Sequence, residues 1–213
     1  MDCWKKKEPL PRSIGIAGSI RGSGATHLAV ALANYAASGQ NERAACLELG
    51  ASKELARWKE AGKDGCFKEK GVSYYPNVKR EQIPILLNRS YEKILMDFSD
   101  DYSGYREELL RCGRKIFLLN LNPWQAYAAR ELLEEIQSDK WGNIRPVFAS
   151  LNPQKMVKNA IEQEFKIQVI SLPLIPDPFR IRPETFACMD FLSGGLAAKY
   201  KRRNTLLPIF KKS

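Results

Sequence analysis

Histidine is almost missing from this chain. His27 is the single imidazole among 213 residues, so neither a Ser-His-Asp triad nor a His-ligated metal centre is expected. The five cysteines, Cys3, Cys46, Cys66, Cys112 and Cys188, are odd in number, far apart and without a CxxC pair. That usage fits reduced thiols in a cytosol and argues against structural zinc. No uninterrupted apolar run approaches the roughly 18 to 20 residues that span a bilayer. The start, "MDCWKKKEPLPRS", has basic residues but no apolar segment behind them, so a secretory leader is not expected. Acid is scarce at the ends: residues 197–213, "AAKYKRRNTLLPIFKKS", carry six basic residues and none acidic, and residues 1–12 carry four basic and two acidic. The ends therefore hold about +8 of the formal +10, and the body between them is nearly neutral.

What remains is ordinary for one globular α/β domain: 44% apolar and 27% charged residues, in a chain too short for two such domains. The expected division is a basic tail over 1–12, a folded body over 13–198 and a basic, partly apolar tail over 199–213. Apolar runs predict strands at 13–19, 43–49, 72–75, 93–98, 115–121, 145–150 and 168–172. Helical patterns predict helices at 26–38, 52–62, 81–88, 105–111, 123–138, 153–165 and 186–202. Strict alternation of the two predicts a three-layer α/β/α architecture with a mostly parallel central sheet and ligands at the carboxyl ends of its strands. "KILMDF" and "KIFLLNL" are continuous enough to be central strands, buried on both faces.

One stretch carries the strongest chemical signal. "IGIAGSIRGSGATHLAVALANY" (14–35) reads as a buried strand, a glycine turn and an alanine-rich helix. In the helix, Leu28, Leu32 and Tyr35 share a face beside a stripe of Ala29, Ala33 and Ala36, which suits close packing on a sheet. A phosphate loop uses such glycines so that successive backbone N–H groups point into one concavity ahead of a helix N-terminus. Arg21, Gly22, Ser23, Gly24, Ala25, Thr26 and His27 are the candidate phosphate-binding positions. The full G-x-x-x-x-G-K-[ST] pattern fails at two of its fixed places, with Ser19 for glycine and Ala25 for lysine. That lysine neutralises charge on the β and γ phosphates during transfer, so fast hydrolysis is not expected. Arg21 is the nearby candidate for a substitute cation.

Two acids end neighbouring apolar strands. Asp97 closes "YEKILMDF" and Glu48 closes "RAACLE", and with the Thr26 hydroxyl they are the candidate magnesium ligands and the candidate catalytic carboxylates. The same residues admit another use: "GSGATH" offers G-x-G-x-x, and Glu48 sits where a ribose-binding acid would stand in an NAD-dependent oxidoreductase.

This order of features resembles the MinD/ParA group of deviant-Walker ATPases over roughly residues 13–200. The resemblance implies a P-loop NTPase-like fold with ATP and magnesium as cofactors. It puts Ile20 and Ala25 at the two family lysines, Thr26 at the magnesium hydroxyl, and Glu48 and Gly50 at the paired acids, so the acid assisting the attacking water is lost. It also puts Asn152 of "VFASLNPQ" near an adenine and matches Pro176 and Asp177 of "LIPDP" to a nucleotide-side loop after the last strand. Within the group the chain is most similar to the atypical TadZ/CpaE branch, which localises pilus and secretion machinery. The receiver-like domain that precedes the ATPase domain in that branch does not occur in the sequence.

The resemblance implies a weak or inactive ATPase that acts as a positioning or scaffolding factor, with a protein partner and a homodimer as natural assemblies. The alternatives are a working ATPase that takes its cation from Arg21 or a dimer partner, the oxidoreductase above, and a DNA-partitioning protein. The basic tails suit nucleic acid or an anionic membrane surface, the latter making a cytoplasmic protein peripheral at the inner face of the membrane, and equally a role in solubility alone. Pro208 breaks any helix in "LLPIF", leaving shallow insertion of its apolar side chains.

Overall fold

The computed structural model describes residues 10–139, 145–151 and 153–195. Its strands are β1 (Ser13–Gly18), β2 (Ala44–Glu48), β3 (Phe67–Glu69), β4 (Val72–Tyr75), β5 (Lys93–Asp97), β6 (Arg114–Leu118), β7 (Val147–Leu151) and β8 (Val169–Leu172). They form one sheet in the order β3-β4-β2-β5-β1-β6-β7-β8. All neighbours pair in parallel except β3 with β4. The helices are α1 (Ala25–Asn34), α2 (Glu54–Trp58), α3 (Ile83–Leu87), α4 (Arg106–Arg111), α5 (Ala126–Ser138), α6 (Lys155–Phe165) and α7 (Phe186–Leu192).

The sheet separates two cores, which gives the three expected layers. Ile14, Ile16, Leu95, Ile116 and Leu118 point to one face and pack with α1, α2 and α7. Ala17, Ile94, Met96, Phe98, Phe117 and Leu119 point to the other and pack with α3, α4, α5 and α6. Alternate residues of β5 and β6 thus feed opposite cores, which explains why "KILMDF" and "KIFLLNL" show no polar face.

All seven expected strands form, within a few residues of their predicted bounds. The eighth, β3, is the antiparallel edge strand and was not expected. It has three residues, too few for an alternating pattern, and joins β4 through Lys70 and Gly71, both at positive φ (46° and 82°). Two positive-φ residues in a two-residue loop make the turn that matches strand twist, so Gly71 was the readable signal.

Several helices differ from expectation. The first stops at Asn34 and continues as a wide π turn over Tyr35–Gly39, where a Cβ on Gly39 would lie 2.9 Å from the Tyr35 ring. The expected helix over 52–62 is reduced to the short α2. The one over 81–88 opens as a 3₁₀ turn (Arg80–Gln82), in which the Gln82 side chain accepts the Lys79 N–H at 2.8 Å. Of the expected helix over 186–202, α7 is described to Leu192. Residues 1–9 and 196–213, which hold nearly all of both basic tails, lie outside the described residues, as does Asn152. Among the described residues no helix is long and apolar enough to cross a membrane.

Gly15 in the middle of β1 sets how closely α4 approaches the sheet. A Cβ there would lie 2.4 Å from Leu109 Cδ1, 2.9 Å from Cys112 Sγ and 3.0 Å from the Phe98 ring. Gly15→Ala is expected to lower stability by about 1–3 kcal/mol through overpacking, read as a lower urea midpoint with an unchanged slope.

Candidate phosphate-binding site

The loop between β1 and α1 has a phosphate-cradle backbone. Gly22 and Gly24 lie at φ 83° and 94°, Ser23 N–H donates to the Ile20 carbonyl at 3.0 Å, and α1 begins at Ala25 with Leu28 N–H donating to Gly24 at 2.9 Å. Left-handed conformations at alternate residues turn consecutive N–H groups toward one side, the arrangement that receives an anion. Gly18 is needed for a different reason: a Cβ there would lie 1.9 Å from Ser23 Oγ, because the Ser23 side chain folds back over the end of β1.

Beside the loop is a pocket of about 370 Å³, lined by residues 20–27, by Ser52, Glu54, Leu55 and Trp58 around α2, by Ser99 and Asp100 after β5, and by Pro178 and Phe179 after β8. The seven loop positions expected from the sequence, Arg21 to His27, therefore come together. Among the described residues Arg21 is the one Lys or Arg in the lining. Its side chain is 65% exposed and meets Glu54 at 4.0 Å, a pair that Arg57 also approaches at 3.9 Å. Such an exposed ion pair is weak and easily exchanged. His27 has another task. Its Nε2 donates to the Ile175 carbonyl at 2.8 Å, tying the first turn of α1 to the loop after β8.

Of the two acids, Asp97 has one oxygen without a hydrogen bond, whereas both oxygens of Glu48 accept hydrogen bonds. Asp97 is fully buried; its Oδ1 accepts the Ser99 N–H at 2.9 Å, while Oδ2 has no hydrogen-bond partner among the described residues. Burial raises its pKa to about 6; the adjacent Thr26 hydroxyl and the Ser99 N–H pull the value down, and Glu48 and Glu54 push it up. Glu48, its register partner on β2, is equally buried, but both of its oxygens are engaged. Oε1 accepts the Leu55 N–H at 2.7 Å; Oε2 accepts Ala56 and Asn77 N–H at 3.3 and 3.1 Å. The carboxylate fixes α2 and the turn after β4. Three of the roughly four acceptor positions of Glu48, the residue expected as a metal, catalytic or ribose ligand, are thus taken up by backbone N–H groups.

The loop after β8 reaches the pocket two residues later than expected. Pro176 is exposed, and Asp177 closes its own turn by accepting the Phe179 N–H at 2.9 Å, so Pro178 and Phe179 form the wall. Ser52, Leu55, Trp58, Ser99 and Phe179 were not singled out from the sequence. Helical spacing was the available signal for α2, because positions 54, 55 and 58 share one face. Ser52 and Ser99, joined hydroxyl to hydroxyl at 2.8 Å, have no sequence signature.

No family model matches the chain, and none of the curated proteins is similar to it. Solved structures are. A ParA family ATPase from Chlorobium tepidum superposes with a TM-score of 0.61 at 12% identity, covering 92% of this chain and 94% of the other. A plasmid partition protein from Borrelia burgdorferi, bound to AMPPNP, gives 0.60 at 11%, covering 89% and 99%. The MinD cell division protein of Aquifex aeolicus gives 0.56 at 15%, covering 94% and 100%. The chain has the P-loop fold of these proteins. At such identities the likeness is one of architecture, and the site must be argued from its own residues.

Asp97 gives a direct test of that electrostatic arrangement. Its native pKa of about 6 lies above the ordinary 3.8, so the cost of its charge is absent below about pH 4 and complete above about pH 6. Asp97→Asn, which keeps the acceptor for Ser99, is expected to stabilise the protein at pH 7, by on the order of 2–3 kcal/mol. Urea unfolding at pH 7 and pH 4.5 is expected to show that advantage shrinking at the lower pH.

Proposed function

We propose that the chain is a MinD/ParA-type P-loop protein that binds ATP through its main chain, hydrolyses it slowly or not at all, and acts as a positioning or scaffolding factor for a protein partner. The observation that carries this reading is an intact cradle without its hydrolytic side chains: Gly22 and Gly24 in left-handed conformations ahead of α1, with Ala25 and Gly50 where the resemblance implies a lysine and an acid. Thr26 and Asp97 suit a magnesium ion, because Asp97 Oδ2 is buried and unpartnered next to the Thr26 hydroxyl. Among the described residues no three His, Cys, Asp or Glu side chains form a metal cluster, which matches an ion held mainly by water and phosphate oxygens. Bound there, magnesium would neutralise phosphate charge.

The finer reading, a role like that of the TadZ/CpaE branch in placing pilus or secretion machinery, rests on the sequence resemblance. A homodimer is the assembly that the same resemblance suggests. Arg21 favours a second reading as a working ATPase, since it lines the pocket and its pair with Glu54 is exchangeable.

Titration with ATP and magnesium by thermal shift and calorimetry separates these readings. The parent chain is expected to bind weakly, and Ala25→Lys to tighten binding about tenfold or more through a charge-assisted phosphate contact. Turnover is expected to stay below about 1 s⁻¹ in both, the lower edge of ordinary enzyme rates. A midpoint unmoved by ATP in both chains would overturn nucleotide binding. Faster turnover by the parent that is lost in Arg21→Ala would establish the second reading instead.

A further inference from the structure

The pocket holds more than an anion cradle. Beyond the loop its wall is apolar, built from Val30 of α1, Leu55 and Trp58 of α2, and Pro178 and Phe179 after β8. Trp58 is 46% exposed, yet its indole is fixed on its other sides. Ring centroids lie 4.8 Å away at Phe179, 5.1 Å at Phe67 and 6.0 Å at Tyr74, and Phe67 stacks on Tyr74 at 5.2 Å. The cluster is anchored to both neighbouring layers. Asn34 Nδ2 of α1 donates to the Tyr74 hydroxyl at 2.7 Å, and Lys70 Nζ donates to the Phe179 carbonyl at 3.0 Å while lying 5.7 Å from its ring centroid. A rigid, half-bare indole therefore stands on the wall of a pocket that the glycine loop also lines. Glu54, which holds Arg21, lies one helical turn before it on the same face of α2.

We propose that Trp58 is the base-recognition residue of this site: the flat heterocycle of a nucleotide whose phosphates occupy the glycine loop stacks on its exposed face. This rests on the reading that the loop binds phosphate. The pocket's volume lies within the range of about 300–1,000 Å³ usual for small-molecule sites. Recognition here moves away from Pro176 and Asp177, since Pro176 points to solvent and Asp177 spends its carboxylate on the Phe179 N–H and on Arg180 at 3.7 Å. The wall reads a ring by its face and not by its edge, because polar side chains around it are already paired, Ser52 with Ser99 and Glu54 with Arg21. Purines are then preferred to pyrimidines for their larger stacking area, and adenine and guanine are accepted alike.

The test uses the full chain with Trp4, Trp124 and Trp141 changed to Phe, which leaves Trp58 as the only indole reporter. ATP, GTP, CTP and inorganic tripolyphosphate are titrated with magnesium, following emission and, in parallel, thermal midpoint. The expected result is saturable quenching of Trp58 by ATP and GTP at similar concentrations, weaker quenching by CTP, and none by tripolyphosphate, which still raises the midpoint. Trp58→Ala is expected to weaken ATP binding about 10- to 100-fold and leave tripolyphosphate binding unchanged, with Trp58→Phe intermediate and preserving the aromatic cluster. If ATP and tripolyphosphate bind equally and both variants bind ATP like the parent, the base does not use Trp58, and the phosphate-loop reading stands alone. If neither ligand binds the parent, both readings fall.

Discussion

The close packing of α1 onto the sheet decides where the glycine loop lies. Ala29, Ala31, Ala33 and Ala36 are fully buried, and small side chains let the helix backbone settle against the sheet, where it contacts β1, β2 and β5. Cys188, Met189, Phe191 and Leu192 of α7 belong to the same core, so α1 is enclosed from behind as well. A helix buried on nearly all sides cannot slide, and its first turn stays fixed beside the carboxyl end of β1. Gly24 is held from a third side, since a Cβ there would lie 2.5 Å from Leu151 Cδ1 at the end of β7. Thr26 next to Asp97 and His27 against Ile175 are consequences of that one placement.

The charges around the loop mean that the main chain would have to do most of the work in binding any phosphate there. Asp97 and Glu48 end adjacent strands, Glu54 and Asp100 line the pocket, and among the described residues Arg21 is the one Lys or Arg of the lining. In a chain with lysine at position 25 that cation would offset the acids; with Ala25 the acids stand next to an incoming phosphate with only backbone dipoles and Arg21 in opposition. Glu48 is the acid least harmful to a phosphate, because three N–H groups already compensate its charge. Its service is mechanical. By accepting the Leu55 and Ala56 N–H groups it anchors the first turn of α2, which carries Glu54 and Trp58 at the pocket.

Most of the architecture was legible because parallel strands buried on both faces leave long apolar runs, and α/β alternation leaves little choice of layers. The antiparallel β3 was not, since an edge strand of three residues carries almost no pattern. At the site, the glycine loop, Thr26 and Asp97 could be read from local sequence. Glu48 was read as an acid at a strand end, and its bonds to the Leu55, Ala56 and Asn77 N–H groups were not legible: sequence shows where a carboxylate sits but not which N–H groups claim its oxygens. The aromatic wall was hidden for a related reason. Trp58, Phe67, Tyr74 and Phe179 come from four separate segments, and nothing local in any of them announces the others.

Positions 25 and 50, where the resemblance implies a lysine and an acid, are packed differently. Ala25 lines the pocket yet is itself buried with the core on that face of the sheet. At Gly50 a Cβ would lie 2.6 Å from Ser99 Cβ and 2.7 Å from the Phe98 carbonyl oxygen, part of the backbone that carries Asp97 and the Ser99 turn. Ser99 itself sits at φ 51°, and its hydroxyl is bonded to Ser52, so the turn is fixed from both sides and has little room to give. An acid at position 50 would displace the segment that presents the Asp97 carboxylate. A carboxylate at position 50 is therefore opposed by the way the loops after β2 and β5 pack, so the absence of an acid there is tied to the backbone and not to one side chain alone.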